Sequence, residues 1–264
     1  MRIEPGTRAL VTGPSRGIGR ALAVALAGRG AVLGLASRSG DELVALAAEL
    51  PGDHQVLPCD VGERVQVAAA VETFARAGGL DLVVANAGVA HYGPFHGMPV
   101  AKVEQMTRVN WLGTVHLVEA ALPHMLARGS GHLVVVSSGS AWRGFPSAAA
   151  YGATKAAQRA FAEGLRHELT GTGVSLTTVF PGEIASSLHD HDAPIMPAWY
   201  RGGPDAAPAA DLAAAIVRGI ERDRAAVYFP RSVRLLAAVH GVSPRAADAL
   251  LRRLRGPTAA PRRP

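Results

Sequence analysis

The chain has 264 residues, 48% of them hydrophobic, and a formal charge of +6, a composition that allows one substantial core and excludes a disordered chain. Its single cysteine, Cys59, excludes an intramolecular disulfide and a thiolate-rich metal site. The charge is uneven: residues 218–264 hold eleven arginines and three acids, a net +8, which leaves −2 for residues 1–217, so the basicity is no argument for a nucleic-acid partner.

Met1–Arg8 is short and polar, unlike a secretory signal, and no run reaches the roughly 18 apolar residues of a membrane span, so a soluble cytoplasmic protein is expected. The first strand is predicted at Ala9–Thr12. It enters Thr12-Gly13-Pro14-Ser15-Arg16-Gly17-Ile18-Gly19 and then a helix over Arg16–Ala27. Glycines in such a turn let backbone approach a pyrophosphate, and the helix N-terminus favours negative charge. The spacing is G-x-x-x-G-x-G, neither the two-half dinucleotide pattern nor a P-loop, and Pro14 removes one N–H donor. A strand at Val32–Ala36 then leads into Ser37-Arg38. An acid near this strand end would bond the 2′-hydroxyl of NAD, whereas an arginine accommodates the 2′-phosphate of NADP. No Asp or Glu lies between Ala31 and Gly40. Arg38 and Arg16, with Ser15 and Ser37, therefore point to NADP(H).

Helices are predicted at Asp41–Glu49, Glu63–Ala77, Val103–Leu126, Ala150–Thr170 and Ala209–Arg222. Strands are predicted at Gln55–Leu57, Leu82–Ala85, Leu133–Ser137, Ser175–Val179 and Ala226–Tyr228. The alternation of near-continuous apolar strands with helices predicts a doubly wound parallel sheet of about seven strands, with helices on both faces. Residues 1–230 read as one domain. Residues 231–264 read as a basic helical extension: two short helices over Arg231–Arg255, joined at Gly241-Val242-Ser243-Pro244, then a frayed Ala259–Pro264.

Tyr151 and Lys155 stand four apart on one face of the predicted Ala150–Thr170 helix. A nearby ammonium stabilises a phenolate and lowers the tyrosine pKa toward working pH, which makes the pair a proton donor and acceptor for carbonyl/alcohol chemistry. Ser138, thirteen residues upstream of Tyr151, is placed to give the carbonyl oxygen a second hydrogen bond.

Taken together, these motifs resemble the short-chain dehydrogenase/reductase family over roughly Arg8–Tyr228, in the family's order. The resemblance implies a Rossmann-like fold with cofactor and catalytic sites in one domain. It assigns the cofactor turn to Gly13, Gly17 and Gly19. It assigns the adenine contact to Asp60-Val61, the segment after the fourth strand to Asn86-Ala87-Gly88, and the loop beside the nicotinamide to Pro181-Gly182-Glu183-Ile184-Ala185-Ser186. It also implies a catalytic set of Asn110, Ser138, Tyr151 and Lys155. In that set Lys155 also bonds the nicotinamide ribose, and Asn110 holds a water linking Lys155 to solvent. Pro14 and Ser186 depart from the family's usual residues. The family's long helices imply a homodimer or homotetramer through Val103–Leu126 and Ala150–Thr170.

Around the substrate the sequence offers Ser140, Trp142, Phe145, His91 and Trp199, the last in a long Ser187–Pro208 interruption suited to a lid over an apolar or amphipathic substrate of ketosteroid, retinoid or 3-oxoacyl type. His189-Asp190-His191-Asp192 carries ligand-type residues. Consecutive loop residues rarely converge on one ion, however, and no metal is expected. The basic extension is open to packing on the domain or on a partner subunit, to weak contact with an anionic membrane, and to attraction of an acidic substrate. The rival readings are a catalytically silent nucleotide-binding regulator, against which the intact set of four candidate catalytic residues argues, and a peripheral membrane-associated module that uses the basic C-terminal helices.

Overall fold

The computed structural model describes residues 1–185 and 206–255. In chain order its strands are β1 (Arg8–Thr12), β2 (Val32–Ser37), β3 (Gln55–Pro58), β4 (Leu82–Ala85), β5 (Gly131–Val136), β6 (Val174–Pro181) and β7 (Ala226–Phe229). The helices are α1 (Gly17–Ala27), α2 (Gly40–Glu49), α3 (Arg64–Arg76), α4 (Val100–Met106), α5 (Gly113–Arg128), α6 (Ala149–Glu168), α7 (Ala209–Glu221), α8 (Arg231–Val242) and α9 (Pro244–Arg255).

All seven strands pair in parallel in the order β3-β2-β1-β4-β5-β6-β7, the Rossmann-like arrangement expected from the alternation of elements. Along β1 successive side chains go to opposite faces: Ala9 and Val11 join Leu22, Leu26, Leu43, Leu212 and Ile216 on one face, and Leu10 joins Val67, Phe74, Leu117 and Met125 on the other. Each fully buried Leu or Phe of these layers contributes about 1.5–3 kcal/mol. The strand order reverses between β1 and β4, so loops at the carboxyl ends of these strands diverge and leave a crevice. That crevice is where the candidate site lies.

Strand ends differ from the sequence-based expectation by at most two residues. The long helix predicted at Val103–Leu126 differs in kind. It begins at Val100 as α4 and passes through a π-helical turn over Thr107–Leu112 before continuing as α5. A π turn widens the backbone spacing while leaving the apolar pattern nearly helical, so periodicity alone does not reveal it. The extension forms two helices as expected, and Ser243 Oγ accepts the Ala246 amide at 3.2 Å at the start of α9. The predicted lid over Ser187–Pro208 lies almost wholly outside the described residues, as does Ala259–Pro264. No helix among the described residues is long and apolar enough to cross a membrane.

His132 on β5 is fully buried, with Nε2 2.8 Å from Thr177 Oγ1. Thr177 gives its own proton to the Arg224 carbonyl at 2.7 Å, so Nε2 is the ring donor. Burial pushes its pKa down to about 4; the N-terminal charge adds to this, and Asp223 opposes it. Between about 4 and the unfolded value of 6.5 the unfolded chain binds more protons. Stability from this site is thus complete above 6.5 and falls as pH drops toward 4, by about 3 kcal/mol in total. Urea midpoints at pH 7.5 and 4.5 should fall further for the wild type than for His132→Gln. Equal losses would show that His132 is not the acid-sensitive group.

Candidate active site

At the end of β1, the Thr12 hydroxyl donates to the Val84 carbonyl at 3.1 Å and accepts the backbone amides of Asn86 and Ala87 at 3.0 and 3.1 Å. Asn86 Nδ2 reaches the carbonyls of Thr12 and Gly13, each at 3.0 Å. These bonds clamp the glycine turn against the end of β4. Gly13 has φ +64° and passes so close to Ala87 that a Cβ would lie 2.9 Å from its Cα. A Cβ on Gly19 would meet the Gly13 carbonyl oxygen at 2.1 Å. Both positions thus require glycine, and the N-terminus of α1 is left bare toward the crevice.

The cleft beside this turn has a volume of about 370 Å³. Gly13, Ser15, Arg16, Gly17, Ile18 and Gly19 line its floor, and Ser37, Arg38, Ser39 and Glu42 line the wall beyond β2. Ser15 Oγ and Ser37 Oγ lie 3.3 Å apart, joining the turn to that wall. Asp60 and Val61 follow β3, with Asp60 Oδ1 accepting the Gly62 amide at 2.8 Å. Asn86, Ala87 and Gly88 line the middle, and Pro181, Gly182 and Ile184 close the far side. Ser186 lies outside the described residues. Cys59 also lines the cleft; burial, then the charge of Asp60, pushes its thiol up to about 11, so it is an inert small side chain near neutrality.

Ser138, Tyr151 and Lys155 meet at the inner end of the same cleft. Ser138 stands two residues beyond β5, with Oγ accepting the Ser140 amide at 3.1 Å, which fixes its rotamer. The Tyr151 ring packs against Tyr92 with centroids 5.8 Å apart. Lys155 Nζ lies 5.9 Å from the Tyr151 ring centroid and donates to the Val136 carbonyl at 3.0 Å. Burial lowers the Lys155 pKa to about 7, because the low-dielectric surroundings disfavour its charged form.

Asn110 stands one layer behind this trio, fully buried in the π turn and outside the lining of the cleft. Its Oδ1 accepts the Val89 amide at 2.8 Å, and its Nδ2 donates to the Val89 carbonyl at 2.9 Å and to Thr154 Oγ1 at 3.0 Å. Its backbone carbonyl, freed by the π turn, accepts from Thr114 Oγ1 at 2.8 Å and Gln158 Nε2 at 2.9 Å. In this geometry Asn110 ties the loop after β4 to α6. Thr114 and Gln158 were not singled out from sequence. A glutamine on the buried face of an amphipathic helix was the available signal.

The residues expected around the substrate divide. Phe145 packs with the Tyr92–Tyr151 cluster, and His91 Nε2 lies 2.8 Å from Gln105 Oε1. Ser140 and Trp142 lie off the cleft lining. Trp142 is packed between Phe180, at 5.4 Å, and the Arg159 guanidinium, at 4.5 Å. Trp199 and His189–Asp192 fall outside the described residues, and no metal-type cluster occurs among those that are described.

Comparison with known proteins agrees with this arrangement. The family model for short chain dehydrogenase matches residues 7–194. An uncharacterized oxidoreductase of Myxococcus xanthus is 37% identical over 257 residues, covering 94% of this chain and 97% of that protein. An uncharacterized oxidoreductase of Staphylococcus aureus is 38% identical over 185 residues, covering 68% of this chain and 79% of its own length. Among solved structures, a short chain dehydrogenase of Burkholderia cenocepacia in complex with NADP superposes with a TM-score of 0.82 at 27% identity, over 97% of this chain and 100% of that one. A Burkholderia phymatum short chain dehydrogenase/reductase in complex with NAD has the same fold, with a TM-score of 0.84 at 23% identity, over 98% and 99% of the two chains. A Rossmann-like sheet whose glycine turn and Tyr-x-x-x-Lys pair open onto one cleft, and a family match across most of its length, make this chain a member of the short-chain dehydrogenase/reductase family, an oxidoreductase acting on CH–OH and C=O groups.

Proposed function

We propose that this oxidoreductase uses NADP(H) and interconverts a carbonyl and a secondary alcohol on an apolar or amphipathic small molecule. The observation that carries the reading is the meeting of Ser138, Tyr151 and Lys155 in the cleft floored by the glycine turn. The residues fit the cofactor: the floor has no room for a Cβ at Gly13 or Gly19 and presents Ser15 and Arg16, and the wall past β2 presents Ser37 and Arg38. In this reading the N-terminus of α1 holds the pyrophosphate and Asp60-Val61 meet the adenine. Asn86-Ala87-Gly88 and Pro181-Gly182-Ile184 flank the nicotinamide. When bound, the cofactor supplies or accepts the hydride. Arg38 and Arg16 hold the 2′-phosphate. Glu42 on the same wall opposes that anion, so the arginines must outweigh it.

During reduction, negative charge develops on the substrate oxygen. Tyr151 donates its phenolic proton there, and Ser138 Oγ stabilises the same oxygen by a hydrogen bond. Lys155 supports the phenolate that remains. In the oxidation direction Tyr151 acts as the base. The outer faces of α5 and α6 support at least a homodimer. Trp111 of the π turn packs edge-on against Phe161 of α6 at 5.3 Å, and Leu112 of the turn and Leu126 of α5 are 39% and 43% exposed.

Tyr151→Phe removes only the transferable proton. NADPH affinity should be unchanged while kcat falls by about a hundred- to ten-thousandfold, the usual worth of a positioned general acid. Retention of a tenth of the wild-type rate would remove Tyr151 from the acid role. Lys155 is charged below about 7 and neutral above it. Reduction needs the Tyr151–Lys155 pair protonated, so kcat/KM for reduction should decline as pH rises through about 7, while oxidation should gain. A flat reduction profile between pH 6 and 8 would show that Lys155 titrates elsewhere.

Arg38→Ala should weaken NADPH binding by about ten- to a hundredfold, since a charge-assisted bond is worth about 1.5–3 kcal/mol and 1.4 kcal/mol is tenfold. NADH affinity should not change. Turnover of a carbonyl panel by wild type with each cofactor tests the reading first, and a preference for NADH would overturn the NADP(H) assignment.

A further inference from the structure

The C-terminal helices α8 and α9 have no part in the chemistry above, yet they touch the segment that joins Ser138 to Tyr151. We propose that they are a structural part of the active site, and that Arg143 and Asp248 are positioning residues that latch α9 across this segment.

Three consecutive residues carry the argument. Ala141 packs in a buried cluster with Phe180 of β6 and Val233 of α8. Val233 also abuts the backbone at both Gly139 and Gly182: a Cβ on either would lie 3.2 or 3.0 Å from its methyl groups. Trp142 is held between Phe180, Tyr228 and the Arg159 guanidinium. Arg143 then forms an ion pair with Asp248, with the two side chains 31% and 32% exposed. Asp248 is the single acid among residues 224–264, which contain nine arginines. Among the described residues its partner is Arg143, 105 positions away in the loop that fixes Ser138. Ala247 beside it is fully buried, so this turn of α9 is seated and not free.

Ser138 Oγ is oriented by the Ser140 amide, inside the short turn Gly139–Ala141. Anything that lets residues 141–143 drift therefore tilts Ser138 relative to Tyr151 and leaves the phosphate turn untouched. The latch acts on substrate geometry and not on cofactor affinity.

The test uses the full-length chain in wild-type form and as Asp248→Ala, Arg143→Ala and the double variant, in hydrogen–deuterium exchange. The reporters are the Ala141 and Trp142 amides, which donate to the Ser138 and Gly139 carbonyls. A partly exposed ion pair is worth about 1 kcal/mol or less, so exchange should accelerate up to about fivefold at these amides in each single variant. The double variant should be no faster than either single one, because both act through one contact. Peptides of β1, β4 and α1 should not change. Unaltered exchange at 139–145, additive effects, or acceleration spread through the sheet would each overturn the latch.

This arm needs no substrate. A second arm rests on the reduction reading and uses whichever carbonyl of the panel the wild type turns over. The variants should lose several-fold in kcat/KM with the NADPH dissociation constant unchanged, and Asp248→Glu should recover most of the loss. Faster exchange with undiminished kcat/KM would overturn the positioning role. A wild type that turns over no carbonyl would count against the proposed function, while the exchange arm alone still decides the latch.

Discussion

One hydroxyl group holds the cleft together. Thr12 Oγ1 stands where the sheet order reverses, and its one donor and two acceptor sites are all used, on Val84, Asn86 and Ala87. A parallel sheet brings every strand's carboxyl end to one edge, but the edge alone only gathers loops. The reversal splits them, and without a tie across the split the turn after β1 and the segment after β4 would each settle independently. Thr12 and Asn86 supply that tie from opposite sides. The glycine turn can then pass within contact of Ala87, and α1 can begin with its amides facing the crevice. The reach from the glycine turn to Tyr151 is set by this junction.

Lys155 shows how burial and function pull against each other. Its ammonium sits in surroundings that favour the neutral amine, and it donates to the Val136 carbonyl, a dipole and not a charge. An exposed lysine would be a steadier cation, because its proton would stay put at working pH. Lowering its pKa to about 7 makes loss of the proton accessible, and with it the two protonation states of the Tyr151–Lys155 pair.

Much of this was legible in the sequence because it depends on local chemistry. Strands buried on both faces read as apolar runs, and glycines forced by sub-van der Waals approaches stand out in a strand-to-helix turn. Tyr151 and Lys155 share a helix face at a spacing of four. What escaped depends on through-space satisfaction. The π turn at Thr107–Leu112 is stabilised by Gln158, which reaches the freed Asn110 carbonyl and the Thr114 hydroxyl across 48 and 44 residues of chain. Trp142, between the catalytic candidates in sequence, reads as a substrate contact until Phe180, Tyr228 and Arg159 are seen around it. The partner of Asp248 is likewise invisible among the many nearer arginines of the tail.

Helix α6 carries Tyr151, Lys155 and Gln158, at intervals of four and three residues along one face. The first two face the cleft, and the third grips the Asn110 carbonyl at the defect in the neighbouring helix. A helix bends far less over two turns than loops shift against one another. The spacing between Tyr151 and Lys155 is thus a fixed length, like the pitch of a machined thread. Vibration or a change of temperature that displaces α6 carries the pair and its anchor together, so positional error accumulates between this unit and the substrate and not within the pair itself.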